Sequence, residues 1–157
     1  MASGLVAQAR AGEGGLHMVH TPLTGTVLGQ VPLSSVAQVE QAYAVAAAAQ
    51  EAWARVAMRQ RAQVLLAFHD LVLRRQSFLL DLIQSESGKS RGQAFEEIAD
   101  VAIVARHYAR TAGRTLRERR PLGALPGLSQ VVESRVPKGV VGIVSPWNYP
   151  LSLSISD

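Results

Sequence analysis

The chain has 157 residues, 48% hydrophobic and 18% charged, with 7 Pro and 13 Gly; that composition builds a core and excludes disorder over the whole length. The formal net charge is +4, from 16 Lys and Arg against 12 Asp and Glu, and no apolar run approaches the roughly 18 residues of a membrane span, which excludes an integral membrane protein. The cysteine count is zero, so disulfides, thiolate metal sites and a cysteine nucleophile have no source in these residues.

Residues 1–15, rich in Ala and Gly and without period, are expected to form a flexible terminus. They lack the basic start and apolar stretch of a signal peptide, which points to a cytoplasmic protein. Two β-branched runs around a Pro/Thr/Gly turn between Leu16 and Val31 predict a β-hairpin. Ser35 and Gln38 have the spacing of a capping box, so a helix starts there. Val36, Val39, Tyr43, Ala46 and Trp53 then fall on one face of that helix, which is expected to end near Ala57. A second helix is predicted over Arg61 to Arg75, with Leu65, Phe68 and Val72 facing the core, and a third over Phe78 to Ser87, with Leu79, Leu82 and Ile83. Gly88 stands where a left-handed closing residue is needed, and Ser90 with Gln93 offers a second capping box. The following helix carries Ala94, Ile98, Val101, Ala105, Tyr108 and Ala112 on one stripe, with Gly113 as its natural stop.

Beyond Gly113 the character changes. Pro121, Gly123, Pro126 and Gly127 break any helix, Gln130 to Val136 reads as a strand, and Pro137-Lys138-Gly139 reads as a turn. Val140-Val141-Gly142-Ile143-Val144 is a continuous apolar run of the kind buried on both faces of a parallel sheet. Such a strand needs a neighbour reached by a crossover of about a dozen residues. With thirteen residues left, its apolar faces are expected to stay partly uncovered and the isolated chain to be poorly soluble or molten.

The segment Ser145 to Leu151 follows as a polar and aromatic loop at the carboxyl end of that run, where open α/β sheets bind ligands. Pro146 and Pro150 fix its backbone, so Asn148 is held on a rigid turn, and a rigid amide donor suits a developing oxyanion. Spacing alone leans the other way, towards Asn148 merely closing a turn and Trp147 filling core. Other candidates are weaker. His69 and Asp70 are adjacent on a helix, about 100° apart, and are expected to be surface residues rather than an acid–base dyad. His17 and His20 lack the spacing and the third ligand of a zinc site. Glu96 and Glu97 at a helix start are accounted for by the helix dipole. Gly88-Lys89-Ser90 lacks the upstream glycine of a P-loop. The arginines between Arg106 and Arg120 allow nucleic-acid binding as a minor alternative, without the aromatic interleaving that such binding uses.

The run from Pro137 to Leu151 closely resembles the signature that opens the coenzyme-binding domain of aldehyde dehydrogenases. Upstream, Thr21-Pro22-Leu23-Thr24-Gly25 is similar to the family's asparagine-proline-x-threonine-glycine hairpin, with His20 taken for the asparagine. Trp53 matches a family tryptophan, and Glu86-Ser87-Gly88-Lys89 followed by Glu97 resembles the glutamate-x-glycine-lysine element and the glutamate after it. The resemblance covers residues 16–157 and looks most like the bacterial NADP-dependent succinate-semialdehyde dehydrogenases. It implies an α/β fold: an amino-terminal hairpin and helices plus the first strand of an incomplete doubly wound, Rossmann-like sheet. Residues 16–157 are then a truncated coenzyme-binding domain, with part of an oligomerisation strand at about 128–137.

The implied activity is oxidation of a small aldehyde with NADP or NAD, by attack of a cysteine thiolate, hydride transfer to the nicotinamide and hydrolysis of the thioester. Asn148 is implied as the donor to the reacting oxygen, and Ile143, Pro146, Trp147 and Asn148 as residues along the cofactor. The family's cysteine, general-base glutamate, ribose-binding lysine and glycine-rich turn have no counterpart here, so the chain alone is expected to be an inactive fragment. The alternative is a non-catalytic interaction module, forming a homo-oligomer or pairing with a full-length dehydrogenase through the open edge Val140 to Val144.

Overall fold

A computed structural model describes residues 14–156. In chain order the elements are β1 (Leu16–His20), β2 (Val27–Pro32), α1 (Val36–Arg55), α2 (Met58–Arg74), α3 (Gln76–Ser87), α4 (Arg91–Thr115) and α5 (Ser152–Ile155). The hairpin pairs antiparallel with Leu16 opposite Pro32 and Val19 opposite Gly29, and a bulge between Val19 and His20 brings His20 opposite Val27. Gly14 and Gly15 extend it through hydrogen bonds to the backbone of Leu33; the rest of the expected flexible terminus, residues 1–13, lies outside the described residues. The turn closes when the Thr21 N–H donates to the Thr26 carbonyl at 2.9 Å and Gly25 N–H to the Thr21 carbonyl at 2.8 Å. Thr21, directly before Pro22, is buried while His20 is exposed. Thr21 therefore stands at the asparagine position of the hairpin motif, a correction to the assignment of His20.

Both capping boxes form. The Ser35 hydroxyl accepts from the Gln38 N–H and the Gln38 side chain accepts from the Ser35 N–H, and Ser90 with Gln93 repeats the exchange at the head of α4. Each box satisfies two of the N–H groups that a helix start leaves unpaired. The core sits where α4 crosses α2 and α3: Ala94, Ile98 and Val101 pack with Val72, Leu80 and Ile83, and Phe68, Leu79 and Leu151 close the edge. In α3 the buried pair is Leu80 and Ile83 rather than Leu82, because α4 meets α3 along that face. Helix α4 passes through Gly113 to Thr115; a Cβ on Gly113 would sit 3.7 Å from Met58 Cγ, so this glycine lies beside the start of α2 instead of ending a helix.

Three expected features differ. The stripe of α1 is present, but the helix buries no residue, and Val36, Val39, Tyr43 and Trp53 are all exposed. Periodicity identifies an apolar face, whereas burial needs a partner, and among the described residues that face is left mostly uncovered. The predicted strand at 130–136 is reduced to one antiparallel bridge, in which Arg119 and Glu133 exchange backbone hydrogen bonds of 3.0 and 2.9 Å. Residues 140–144 belong to no strand, and Val141, Ile143 and Val144 are exposed, as the want of a neighbouring strand implies.

Gly88 joins the hairpin to the helices. It closes α3 in the left-handed conformation at φ +72°, and a Cβ there would approach Pro22 Cγ to 3.1 Å. Gly88→Ala is expected to lower stability by about 1–2 kcal/mol, the cost of a left-handed non-glycine residue. Urea denaturation of both chains followed by circular dichroism measures it; an unchanged midpoint would mean that the turn relaxes freely.

Candidate active-site loop

Residues 145–151 form a loop that runs into α5, and the segment 145–154 is pinned at several points. Ser154 Oγ donates to the Pro150 carbonyl at 2.5 Å, so its 2.8 Å contact with Ser145 Oγ is donated by Ser145, and this pair ties the two ends of the loop together. Ser152 Oγ donates to Asp100 Oδ2 at 2.5 Å. Leu151 packs on the core. The deepest anchor is Glu97, whose side chain is 0% exposed. A carboxylate removed from water survives only with several donors. Lys89 Nζ supplies one to Oε1 at 2.5 Å, and the consecutive backbone N–H groups of Leu151 and Ser152 supply two to Oε2 at 3.0 and 3.2 Å. Those N–H groups open α5, where negative charge is favoured. Lys89 Nζ also lies 3.7 Å from the centroid of the Tyr149 ring, a cation–π contact.

Of the four residues singled out by sequence, Pro146, Trp147 and Asn148 lie on this segment and Ile143 two residues before it, and all four are exposed. Trp147 is 72% exposed and is no core filler. A cavity of about 230 Å³ lined by residues including Arg120, Leu122, Pro126 and Val131 shares no residue with the loop. Glu97 is where sequence reasoning fell short. It is more than a dipole partner, and only the resemblance, which picked out Glu86, Lys89 and Glu97, carried a signal for it. Glu96, its neighbour, is exposed. His69 and Asp70 also depart from expectation: His69 Nδ1 lies 2.8 Å from Asp70 Oδ1, because adjacent side chains can bend toward each other although their Cα–Cβ bonds diverge. Among the described residues no group of three or more His, Asp or Glu could hold a metal ion, and no helix is long and apolar enough to cross a membrane.

Glu86 stands in the last turn of α3, and although the residue is exposed, desolvation of its carboxyl by the surrounding chain pushes it above the usual glutamate range. A raised carboxyl in the folded state opposes folding once it ionises. This penalty is absent below the unfolded value, about 4.3, where the carboxyl is protonated in both states, grows as pH rises above it, and is complete once pH has passed the folded value. Glu86→Gln is expected to raise Tm modestly at pH 7 and to leave it unchanged near pH 3, measured by thermal melts at both; a lower Tm at pH 7 would contradict the burial effect.

Comparison with known proteins bears on the same segment. The family model described as "Aldehyde dehydrogenase family" matches residues 10–157. The chain belongs to the aldehyde dehydrogenase family. A Mycolicibacterium smegmatis protein provisionally named succinate-semialdehyde dehydrogenase (NADP+) is 46% identical over 134 residues, which are 85% of this chain and 26% of that protein. A Mycobacterium tuberculosis counterpart with a similar provisional name is 44% identical over the same length. The chain thus spans about a quarter of the length of the curated relatives it matches.

Among solved structures, the NADP-dependent glyceraldehyde-3-phosphate dehydrogenase of Bacillus halodurans, complexed with NADP, superposes with a TM-score of 0.83 at 32% identity, covering 90% of this chain and 30% of that one. The NAD-dependent benzaldehyde dehydrogenase of Corynebacterium glutamicum gives 0.83 at 30% identity, covering 92% and 31%. The hairpin and helices are accordingly an amino-terminal portion of the aldehyde dehydrogenase fold.

Proposed function

We propose that this chain supplies the substrate-facing and cofactor-facing loop of an NAD(P)-dependent aldehyde dehydrogenase acting on succinate semialdehyde in the cytoplasm. The observation that carries the reading is the exposed Asn148 on a loop anchored at Ser145, Tyr149, Leu151 and Ser152. A preorganised amide donor of this kind lowers the energy of an oxyanion without moving at the moment of reaction. Asn148 Nδ2 donates to the aldehyde oxygen as negative charge develops there. Ile143, Pro146, Trp147 and Asn148 lie along the cofactor. The fit is favourable from the side of these residues, because Ile143 and Trp147 present free apolar surface and no charged side chain stands among the four. When bound, NAD(P) supplies the hydride acceptor.

The substrate assignment draws on the 46% identity to the mycobacterial protein, and the oligomerisation role of residues 128–137 on the family resemblance. With no cysteine in the 157 residues, the attacking thiolate comes from outside them, so the chain alone is inactive. Residues 16–157 are read as part of a coenzyme-binding domain. The exposed run at Val141, Ile143 and Val144 favours a second reading, a non-catalytic module that pairs with a full-length dehydrogenase.

The test is NADP-dependent oxidation of succinate semialdehyde, followed by NADPH absorbance. It compares the purified chain with the chain joined to the downstream part of the Mycolicibacterium smegmatis relative. The joined protein is expected to turn over and the chain alone is not. An inactive joined protein would overturn the catalytic reading, and turnover by the chain alone would overturn the requirement for a thiolate. Stable co-purification with the full-length relative, without activity in the joined protein, would favour the second reading.

A further inference from the structure

Three parts of the molecule far apart in sequence or in different elements meet at Glu97: the turn after α3 through Lys89, the second turn of α4, and the segment at residues 149–152. Glu97 sits beside Ile98, which is 0% exposed, so its backbone belongs to the most tightly packed part of the core. Its two oxygens divide the work, Oε1 to Lys89 and Oε2 to two consecutive N–H groups 54 and 55 residues away in sequence. Two adjacent amides donating to a single oxygen fix the orientation of both peptide planes. Lys89, held by Glu97, is in turn covered by the Tyr149 ring. Pro150, with φ fixed by its ring, is all that separates the residue held by Lys89 from the residue held by Glu97. Asn148 is bonded directly to Tyr149 and therefore inherits its placement from this chain of contacts.

We propose that Glu97, acting through Lys89 and Tyr149, is the positioning residue for Asn148. It holds the donor loop against the rigid face of α4 by charge and hydrogen bonding. The functional meaning rests on the proposed role of Asn148; the positioning itself does not. Charge matters to the arrangement, since hydrogen bonds to an ionised acceptor are roughly twice as strong as neutral ones. Glu97→Gln keeps the shape but offers a single neutral acceptor oxygen and turns an amide group toward Lys89. Tyr149→Leu removes the ring over Lys89 at a half-exposed position and leaves the core untouched.

The experiment is amide hydrogen exchange and 15N relaxation on the 157-residue chain, without aldehyde or cofactor, with α2 and α4 as the folding control. Glu97→Gln is expected to speed exchange at Leu151 and Ser152 by about tenfold or more, as loss of hydrogen bonds to a charged group implies. It should also move those two amide protons upfield and lower the Asn148 backbone order parameter toward about 0.6, with α2 and α4 unchanged. Tyr149→Leu should reproduce the loss at Asn148, and Glu97→Asp, which keeps the charge, should recover part of the protection. Unchanged exchange at Leu151 and Ser152 in Glu97→Gln overturns the proposal. So does uniform loss of protection in Glu97→Gln with Asn148 unaffected in Tyr149→Leu, which would make Glu97 a core residue alone. An inactive joined enzyme with the exchange results as expected would refute the function proposed for Asn148 and leave the positioning intact.

Discussion

Replacing Ile98 by alanine is expected to lower the free energy of unfolding by about 2–5 kcal/mol, the range for truncating a large buried aliphatic side chain. Ile98 is 0% exposed and is among the largest wholly buried side chains among the described residues. It lies in the cluster that joins α2, α3 and α4, so its removal opens a cavity shared by all three helices. The neighbours can collapse into that space only in part, since Ala94 and Val101 on the same helix are small and already at 0% exposure. The buried set is also small: eight hydrophobic residues lie below the surface among those described. A loss of that size is a large fraction of the marginal stability of a domain, typically about 5–15 kcal/mol. Urea titration monitored by circular dichroism measures it. A loss below about 1 kcal/mol would mean that the helices are not packed against one another as a single core.

The parts of the fold that were legible in sequence are those fixed within a few residues. Ser35 with Gln38 and Ser90 with Gln93 bond across three positions, and Gly88 closes α3 in the conformation its lack of a Cβ permits. Of the expected stripe, Ala94, Ile98, Val101 and Ala105 are buried as their spacing requires, while Tyr108 is exposed and Ala112 half-buried, because the stripe continues past the core cluster. What sequence could not supply is non-local. A strand is defined by its neighbour, so the β-branched residues at 130–136 make no more than one bridge, to Arg119. The apolar face of α1 is correctly periodic but uncovered, because periodicity names a face and says nothing of what lies on it. Glu97 looks like any glutamate in the first turns of a helix. Its burial depends on amides more than fifty residues away, which no local pattern encodes. The loop of Asn148 falls between these cases: its two prolines mark a rigid turn, while the direction in which that turn is held is set by α4.

Asn148→Ala, made in the joined enzyme described above, is expected to reduce kcat by about 10²–10³-fold, the cost of removing one preorganised oxyanion donor. The KM for the aldehyde should change far less, because the carbonyl oxygen carries little charge in the bound substrate and gains it only as the nucleophile attacks. A stability effect is not expected to confuse the result. Asn148 is exposed and lies outside the core cluster, and no hydrogen bond of the loop anchor passes through its side chain. Asn148→Asp sharpens the test: it preserves the size of the side chain but replaces an N–H donor by a carboxylate that repels the developing charge, so it should be at least as inactive as Asn148→Ala. Steady-state kinetics with both variants, alongside melts to verify folding, separate the possibilities. A raised KM with kcat retained would make Asn148 a substrate-binding residue, and full activity in the aspartate variant would remove it from the reaction altogether.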